Sequence, residues 1–354
     1  MSSERAPVDV ALSCPTPLAG TDRVLLGHGS GGKMTAELIA RYFLPAFQNA
    51  YLDRLDDQAV LSVGGERLAF TTDAYVVTPL FFPGGDIGTL AVNGTVNDLA
   101  MAGARPLYLS GAFILEEGFP LADLRRIADS MGKAATAAGV SLVTGDTKVV
   151  DRGKADGCFI TTTGLGIVRH GGVISASRAR PGDLVILSGP IAEHGMTIMA
   201  ARADLELDAP IASDTAPLHE LVLDMIDTGG EIHCLRDPTR GGVATALNEI
   251  AQQSRVGMVL DEEAIPVREP VRGVCELLGI DPLYVANEGK LLAVVAPWHA
   301  DRVLARMRGR AEARDARIIG QVVADPDGLV VLKTRIGGHR IVDMLQGDQL
   351  PRIC

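Results

Sequence analysis

The sequence is poor in aromatic residues and in cations, and both shortages narrow the range of functions. Only 4% of the 354 residues are aromatic, and Trp occurs once. Lys and Arg number 33 against 44 Asp and Glu, which gives a formal net charge of −11. Phosphate backbones and anionic lipid surfaces repel a chain with this balance. The composition therefore argues against a nucleic-acid partner and against membrane binding, while it leaves room for a local basic pocket that binds phosphate.

Long apolar runs and paired cysteines are also missing. No apolar stretch approaches the roughly 18 residues that span a bilayer. The first twenty residues contain Glu4 and Asp9 and lack the apolar core of a signal peptide. The five cysteines are widely scattered and form no CxxC pair of the kind found in zinc or redox sites. We therefore expect a cytoplasmic protein with reduced thiols.

What the sequence does contain is enough chain for two domains. Its 354 residues are more than twice the roughly 150 of an average domain. Gly171-Gly172 and the turn signal at 180–183 interrupt the chain before an apolar strand, which predicts a boundary near residue 170. The expected parts are a flexible arm at 1–21, an N-terminal domain at 22–170, a C-terminal domain at 171–344 and a mobile tail at 345–354.

Helical and strand patterns alternate along the chain, which predicts a mixed α and β fold. Apolar residues recur at helical spacing over 33–47 and indicate an amphipathic helix. Two β-rich runs at 59–63 and 67–72 flank Gly64-Gly65 and predict a hairpin. Further helices are predicted at 88–102, 121–138, 214–228, 240–253, 267–278 and 298–308, and further strands at 106–114, 141–144, 157–168, 184–187, 256–260, 290–296, 317–324 and 329–333.

A glycine-rich segment, GHGSGGK at 27–33, opens the first of these helices. Its spacing matches that of a phosphate loop, in which backbone amides at a helix N-terminus hold an anion. Met34 stands where such a loop needs Ser or Thr to hold magnesium, and the preceding strand is short. We therefore interpret the segment as a flexible glycine lid over a ligand.

Acidic residues recur at loops and strand ends. The positions are Asp56-Asp57, Asp73, Asp98 and Asp146. Any one alone is most often a cap or a turn residue. Together they suit a metal–ATP site, because Mg²⁺ binds between carboxylates and nucleotide phosphates. Asp98 is the most telling, since it shares an otherwise apolar helix with Asn93 and Asn97, where polar groups need partners.

The segment RDPTRGG at 236–242 precedes another predicted helix. Asp237 or Thr239 can cap that helix, while the two glycines let a phosphate approach its amides. Arg240 adds a positive charge at the same place. An ordinary capped helix start explains this stretch equally well.

The chain ends in LPRIC, with Cys354 as its last residue. A chance terminal cysteine is the plain alternative, and the position is wrong for prenylation. An extended tail of about ten residues reaches roughly 33 Å, far enough to visit two active sites. We therefore expect Cys354 to act as a carrier arm, helped by a cation such as Arg352 or a lysine of the receiving pocket.

Eight segments carry a resemblance to a known family. They are GHGSGGK at 27–33, the stretch 71–104, FILEEG at 113–118, GDTKVV at 145–150, RDPTRGGV at 236–243, RGVCELLG at 272–279, ANEGK at 286–290 and PRIC at 351–354. They resemble the HypE family of NiFe-hydrogenase maturation factors, the carbamoyl dehydratases. The resemblance covers nearly the whole chain from about residue 22, and PRIC is its most specific element.

The aspartates are shared with a wider superfamily that includes aminoimidazole ribonucleotide synthetase, selenophosphate synthetase and thiamine-monophosphate kinase. The resemblance implies an α+β fold of two α/β domains like that of aminoimidazole ribonucleotide synthetase. In it, the N-terminal sheet forms a dimeric barrel with a second subunit. The C-terminal α/β domain closes over ATP.

The resemblance also implies a defined reaction. A HypF carbamoyltransferase loads a carbamoyl group onto the terminal Cys354, ATP drives its dehydration to a thiocyanate, and the cyano group passes to iron on a HypC–HypD scaffold complex. ATP and Mg²⁺ are the implied cofactors. The implied nucleotide-binding residues are Gly29, Gly31, Gly32, Asp57, Asp73, Asn97, Asp98, Asp146, Asp237 and Arg240, and Asp57, Asp73, Asp98 and Asp146 would hold the metal.

Two further residues are expected to work beside the thiol. An amide oxygen is a poor leaving group, so ATP must phosphorylate it and bases must remove two N–H protons. The resemblance brings Lys148 and Glu288 near the tail cysteine, where the pair can orient the carbamoyl group and relay its protons. A structural ion pair or plain solvated side chains are the alternatives for both. His28 and His194 can also carry protons, but their spacing singles out neither.

Two other functions stay open from the residues alone. A small-molecule kinase or synthetase of the same superfamily would consume ATP with a free metabolite and would tolerate deletion of the tail. A nucleotide-gated adaptor would use the tail only to dock a partner. In that case the tail peptide would keep its mass after incubation with the partner and ATP.

Overall fold

The computed structural model describes residues 22–205, 209–325, 328–347 and 352–354. The arm predicted at 1–21 lies outside the described residues, as do residues 348–351 of the predicted tail. Two large sheets dominate the described part, one within residues 59–168 and the other within residues 184–341. The predicted mixed α and β architecture is confirmed.

The segment before the first sheet is helical, as its apolar spacing predicts. Helical backbone covers 33–47 without a break. Its parts are α1 (Lys33–Leu38), a π-helical turn (Ile39–Phe43) and α2 (Leu44–Phe47). Single π-turns widen a helix locally and are frequent beside functional sites. Ile39 and Leu44 of this segment line a cleft next to the first sheet.

The N-terminal sheet has five strands. They are β1 (Ala59–Val63), β2 (Glu66–Tyr75), β5 (Ala104–Glu116), β6 (Ser141–Val150) and β7 (Cys158–Val168), with the short pair β3 (Phe81–Phe82) and β4 (Gly85–Asp86) formed separately. The order is β1-β2-β7-β5-β6, and only β5 and β6 run parallel. The predicted hairpin is confirmed, since Gly64 and Gly65 turn between β1 and β2 with φ of 61° and 89°. β6 extends beyond the predicted 141–144 and forms an exposed edge.

One buried helix joins the two halves of the molecule. α3 (Ile87–Met101) packs against β2, β5 and β7, and α4 (Leu121–Ala137) packs against α3. Both helices match their predictions. Ala100 and Met101 of α3 pack in one buried cluster with Leu221 of the C-terminal half. The polar side chains of α3 therefore lie where the two halves meet.

The C-terminal sheet has seven strands. They are β8 (Leu184–Leu187), β9 (Ile232–Arg236), β10 (Gly257–Asp261), β11 (Leu292–Val295), β12 (Arg317–Val323), β13 (Val330–Lys333) and β14 (His339–Ile341). Their order is β14-β13-β10-β12-β8-β11-β9, and only β10 and β13 run parallel. The predictions did not include β9 or β14. β9 is short and carries polar residues, so it lacks the β-rich run that marks a strand.

Helices accompany this second sheet. They are α5 (Glu193–Arg202), α6 (His219–Asp227), α7 (Gly242–Ser254), α8 (Glu269–Leu278) and α9 (Pro297–Arg308). All but α5 were predicted. α5 is buried along most of its length and contains Gly195, so it shows no single apolar stripe. Within the described ranges, no helix is both long and apolar enough to cross a membrane.

The last residues of the chain return to the N-terminal half. Ile353 and Cys354 belong to one buried cluster with Tyr75, Val77 and Phe82. The tail is predicted to be mobile, and the structure gives the docked position of its end. Any movement of the tail must therefore start from, or return to, this buried position.

Candidate active site

A cleft opens where the helical segment 33–47, the N-terminal strands and the segment 236–240 meet. It encloses about 490 Å³, a volume typical of small-molecule sites. Six of the residues expected to bind nucleotide line it: Gly31, Asp57, Asp73, Asp98, Asp237 and Arg240. The fold thus brings together side chains that are up to two hundred residues apart in sequence.

Simultaneous ionisation of the carboxyl groups in this cleft is unfavourable. Burial raises the pKa of Asp57 and of Asp98 well above the ordinary value, and neighbouring carboxylates raise both further. Burial also raises the pKa of Asp237 to about 6, although Arg236 acts in the opposite direction. Thr71 stabilises the ionised form of Asp98 by donating to its Oδ2 at 2.7 Å. Repulsion among carboxylates is the condition that a divalent cation relieves.

These carboxylates fit Mg²⁺ that arrives with a nucleotide. Mg²⁺ is commonly held by one or two carboxylates together with phosphate oxygens and water. Asp57, Asp73 and Asp98 supply carboxylate oxygens around one cleft. No three His, Cys, Asp or Glu side chains in the described part of the chain form a ready-made metal cluster. The donor set therefore suits an ion bound between protein and phosphate, and not a resident metal centre.

Positive charge in the cleft comes partly from Arg236, to which the sequence predictions gave no role. Its Nε lies 3.0 Å from Asp57 Oδ1, and its guanidinium also pairs with Glu249. The single positive charge of Arg236 is therefore shared between two carboxylates, and the charge of Asp57 is only partly neutralised. Arg236 begins the RDPTRGG segment, so the motif itself was the available signal.

Two of the predicted glycines are required by close backbone packing. Gly31 has φ of +78°, and a Cβ there would lie 2.7 Å from the backbone oxygen of Arg240. A Cβ on Gly32 would lie 2.1 Å from the backbone oxygen of Leu345. At Gly29, by contrast, no heavy atom of the described residues would lie within 4 Å of an added Cβ. Gly31 lines the cleft, whereas Gly32 fixes the loop against the segment that leads to the tail.

The start of α7 differs from its prediction. Gly241 is the N-cap, with φ of +78°, and no side chain in the described part of the chain caps the helix. The expectation that Asp237 or Thr239 caps it is therefore wrong. Uncapped amides at a helix N-terminus favour an anion. Arg240 and the N-terminus of α7 together provide the positive side of the cleft.

Asn97 does not have the nucleotide-binding position expected for it. Its Nδ2 donates to the backbone oxygens of Ala216 at 3.1 Å and Glu288 at 3.2 Å. Its Oδ1 accepts from Leu218 N at 2.8 Å. The side chain is buried, and protein backbone already satisfies both ends of the amide. Asn97 therefore ties α3 to the loop that supports Glu288, and its amide is not available to a ligand.

Asp146 and Lys148 do not reach the cleft of their own chain. Lys148 Nζ lies 2.8 Å from Asp146 Oδ2, and both side chains are well exposed on β6. Asp73 is on β2, and two strands separate β2 from β6 in the sheet. Three strand spacings amount to about 14 Å. Within one chain, Asp146 and Lys148 therefore lie too far from Asp73 to share its cleft, and their expected roles as a metal ligand and beside Glu288 stay predictions.

The thiol of Cys354 lies beside the cleft. The residue is only 8% exposed, and burial raises the pKa of its thiol well above the ordinary value. Arg240 lowers that pKa, while Glu288 and Asp73 raise it. Arg240 is thus the cation near the thiol, and Arg352 instead pairs with Asp156. Arg240 and Asp73 also line the cleft, so they connect it to the end of the chain.

Glu288 is a buried carboxyl next to this thiol. Burial raises its pKa well above the ordinary value, Asp214 and Asp73 raise it further, and Arg240 lowers it. Among the described residues, Oε1 of Glu288 has no hydrogen-bond partner. Buried polar atoms in this condition are rare and call for an explanation. A polar group carried on the sulfur of Cys354 would give this oxygen a partner.

A second group of charges supports Glu288 from behind. Asp214 Oδ1 accepts from Glu288 N at 3.1 Å, and Lys290 Nζ lies 3.1 Å from Asp214 Oδ2. Lys290 and Asp214 line another cavity, of about 560 Å³, which Cys354 does not line. The sequence pattern singled out only Glu288 within ANEGK, although Lys290 ends the same segment. No pattern marked Asp214.

Comparison with known proteins gives a consistent result. The AIR synthase related protein N-terminal domain matches residues 55–168, and the C-terminal domain of that family matches residues 180–333. Carbamoyl dehydratase HypE of Cupriavidus necator is 58% identical over 333 residues, which cover 94% of this chain and 95% of that protein. Carbamoyl dehydratase HypE of Escherichia coli is 45% identical over 338 residues, which cover 94% of this chain and 100% of that protein.

Solved structures agree with these matches. Hydrogenase maturation protein HypE in complex with ATP has a TM-score of 0.80 at 50% identity, covering 94% of this chain and 100% of that chain. The match in a HypE–HypF complex has a TM-score of 0.83 at 49% identity, covering 87% and 99%. Thiamine monophosphate kinase of Aquifex aeolicus, 16% identical with a TM-score of 0.62 over 88% and 99%, shares the fold alone. The chain therefore belongs to the HypE family of carbamoyl dehydratases, within the fold of the AIR synthase related proteins.

Proposed function

We propose that this protein dehydrates a carbamoyl group on its own Cys354 to a thiocyanate at the expense of ATP. The proposal depends on one observation above all. Arg240 and Asp73 line the nucleotide-sized cleft and also act on the thiol of Cys354. A nucleotide in the cleft would therefore direct its terminal phosphate toward a group on the sulfur. The relatives named carbamoyl dehydratase HypE and the HypE structure with ATP support the same reaction.

The reaction removes one oxygen and two protons from S–C(=O)–NH₂. The carbamoyl oxygen attacks the terminal phosphorus of ATP, and ADP leaves. The same oxygen then departs as inorganic phosphate while the nitrogen loses its protons, which leaves S–C≡N. Arg240 is near enough to both cleft and thiol to neutralise negative charge on the transferred phosphoryl group. Mg²⁺ held by Asp57, Asp73 and Asp98 would stabilise the phosphate oxygens.

Glu288 is the group that we expect to accept a proton from the nitrogen. Its pKa is raised by burial, and a raised pKa makes the ionised carboxylate a stronger base. Phosphorylation of the carbamoyl oxygen makes the N–H more acidic, so the pKa of the N–H and the pKa of Glu288 approach each other. Arg240 stabilises the ionised form of Glu288. Its backbone is kept in place because Glu288 N donates to Asp214 Oδ1 and Asn97 Nδ2 donates to Glu288 O.

We further propose that two copies pair through their N-terminal sheets. β6 is an exposed edge strand, and Phe70, Tyr108 and Val143 are large apolar residues exposed on this sheet. Open edges and exposed apolar faces are surfaces that a second chain covers. Asp146 and Lys148 can take their expected roles only across such an interface, in the site of the partner.

Light scattering during size-exclusion chromatography tests this pairing. Val143→Lys introduces a charge at the edge strand and should convert a dimer into a monomer. Leu121→Lys is the matched control, because Leu121 is 80% exposed and is the first residue of α4, outside the sheet itself. A Val143→Lys variant that stays dimeric would contradict an interface at β6.

The reaction also defines the partners and the compartment. We propose that a HypF carbamoyltransferase loads Cys354 and that a HypC–HypD scaffold complex receives the cyano group. The relative that was solved in a HypE–HypF complex supports the first of these partners. Loading needs a free thiol, and Cys354 is free in the structure. A free thiol is maintained in the cytoplasm, where we place the reaction.

A cysteine exchange tests the carrier role. The protein is incubated with the carbamoyltransferase, ¹⁴C-labelled carbamoyl phosphate and ATP, and protein-bound thiocyanate is measured. Cys354→Ala should abolish the signal. Cys158→Ala is the matched control, because Cys158 is buried in the same cluster as Cys354 and has no proposed role. Protein-bound thiocyanate on the Cys354→Ala variant at the wild-type rate would refute the proposal.

A further inference from the structure

The end of the chain is held mainly through its backbone. Val76 N donates to the backbone oxygen of Cys354 at 3.1 Å, and Thr78 N donates to the backbone oxygen of Arg352 at 3.3 Å. The backbone oxygen of Ile353, between them, also has a partner. The carbonyl oxygens of Arg352 and Ile353 and one oxygen of the Cys354 carboxylate are therefore all bonded. Bonds of this kind do not depend on which group the Cys354 sulfur carries.

The partner of Ile353 is His194, a buried residue in the first turn of α5. His194 Nε2 lies 2.7 Å from Ile353 O, and Nδ1 lies 2.8 Å from Ser213 Oγ. A carbonyl oxygen only accepts, so Nε2 must carry the hydrogen and Nδ1 accepts from the Ser213 hydroxyl in the neutral ring. Burial lowers the pKa of His194 and so favours this neutral form. Phe82 packs edge-on against the ring, with centroids 5.5 Å apart.

The same helix supplies a second contact to the tail. Arg202, at the other end of α5, donates to the backbone oxygens of Thr78 and Arg352. α5 therefore holds the tail end at two points, the consecutive backbone carbonyls of Arg352 and Ile353. His194 is the deeper of the two, and its bond is one residue from the reactive sulfur.

We propose that His194 is a positioning residue for the dehydration step, which holds the Cys354 sulfur against Glu288 and Arg240 by donating to the Ile353 carbonyl. This inference depends on the proposed function. The bond must break before the tail can reach the carbamoyltransferase, because Cys354 is buried when docked. His194 therefore favours the docked tail and opposes the loading of the thiol.

Alkylation of Cys354 by iodoacetamide, followed by mass spectrometry of the C-terminal peptide, tests the docking directly. A docked thiol is buried and protonated, so alkylation requires release of the tail. His194→Leu removes the donor, and the loss of one hydrogen bond of about 1.4 kcal/mol should raise the alkylation rate about tenfold. His194→Gln retains an N–H donor and should restore much of the protection. The buried Cys234 and Cys275 are internal controls for global unfolding.

Alkylation of Cys234 would show that His194→Leu has unfolded, and a second variant tests the proposal in that case. Ser213→Ala removes the bond that orients the ring and should raise the alkylation rate of Cys354 by a smaller factor. Unchanged protection of Cys354 in a folded His194→Leu or Ser213→Ala variant would overturn the proposal.

A single turnover separates positioning from a merely structural role. With carbamoylated protein and ATP, His194→Leu should slow thiocyanate formation, whereas the preceding loading by the carbamoyltransferase should be unchanged or faster. His194→Gln should recover the dehydration rate. A normal dehydration rate in His194→Leu would overturn the proposal. If the wild-type protein formed no thiocyanate, the proposed function would fail, and the alkylation rates would still report on the contact of His194 with the tail.

Discussion

The contrast between Asn97 and Asn93 provides a quantitative test of how the two halves are joined. Both are buried on α3, one turn apart, with exposures of 2% and 3%. Asn97 makes three hydrogen bonds to backbone groups of the C-terminal half. Asn93 makes one, to Thr215 Oγ1 at 3.2 Å, and its Oδ1 has no partner among the described residues. Replacing each by Leu keeps the number and branching of the side-chain heavy atoms and removes the bonds.

The expected loss of stability follows from these bonds. Each hydrogen bond contributes about 1 kcal/mol net, and each buried backbone group left unpaired costs about 1–3 kcal/mol. Asn97→Leu should therefore lower the free energy of unfolding by at least about 3 kcal/mol, since it leaves three such groups. Asn93→Leu should cost only about 1 kcal/mol, because one bond is lost and an unpaired oxygen is removed.

Urea denaturation followed by circular dichroism measures both values. The two variants should differ in midpoint with similar slopes, since neither changes the surface exposed on unfolding. Equal destabilisation of the two variants would refute the assignment of Asn97 as the joint between the halves. A fall in ATP affinity in Asn97→Leu alone would instead support the nucleotide-binding role that the resemblance implies.

Three other substitutions test particular contacts. Gly32→Ala forces a Cβ to within 2.1 Å of a backbone oxygen and should weaken ATP binding in titration calorimetry, whereas Gly29→Ala should not. Glu288→Gln should stop thiocyanate formation, detected by mass spectrometry, while carbamoylation continues; continued dehydration would exclude Glu288 as the base. Arg310 lowers the pKa of Asp224. The ionised carboxylate therefore stabilises the fold fully at a pH above its ordinary pKa, and this stabilisation is lost as the pH falls through the lowered pKa. Asp224→Asn should therefore flatten the fall of Tm with acid, and an unchanged profile would contradict this.

Local signals were sufficient for most of the fold. The helical spacing over 33–47 and the glycine pair between β1 and β2 are properties of neighbouring residues, and both predictions are confirmed. α5 escaped prediction because tertiary contacts bury it on most sides and erase its amphipathic stripe. Its importance arises from contacts with Ile353, more than 150 residues away in the chain.

The candidate site was harder to predict for the same reason. Asp57, Asp73 and Asp98 line one cleft, as their residue types suggested. Asp146 belongs to the same sequence pattern but lies at the open edge of the sheet, and only strand order separates it from the others. The resemblance implied Asn97 as a nucleotide-binding residue, yet its partners are backbone groups of the other half. Pattern alone does not tell a buried joint from a binding residue.

Dehydration on the Cys354 sulfur can be observed by mass spectrometry of the C-terminal peptide in a single turnover. The protein is first carbamoylated on Cys354 and separated from the carbamoyltransferase, and then ATP is added. We expect the peptide to lose the mass of one water when ATP is present and to keep its mass with a non-hydrolysable analogue. A peptide that keeps its carbamoyl mass while ATP is consumed would show that Cys354 does not carry the dehydrated group.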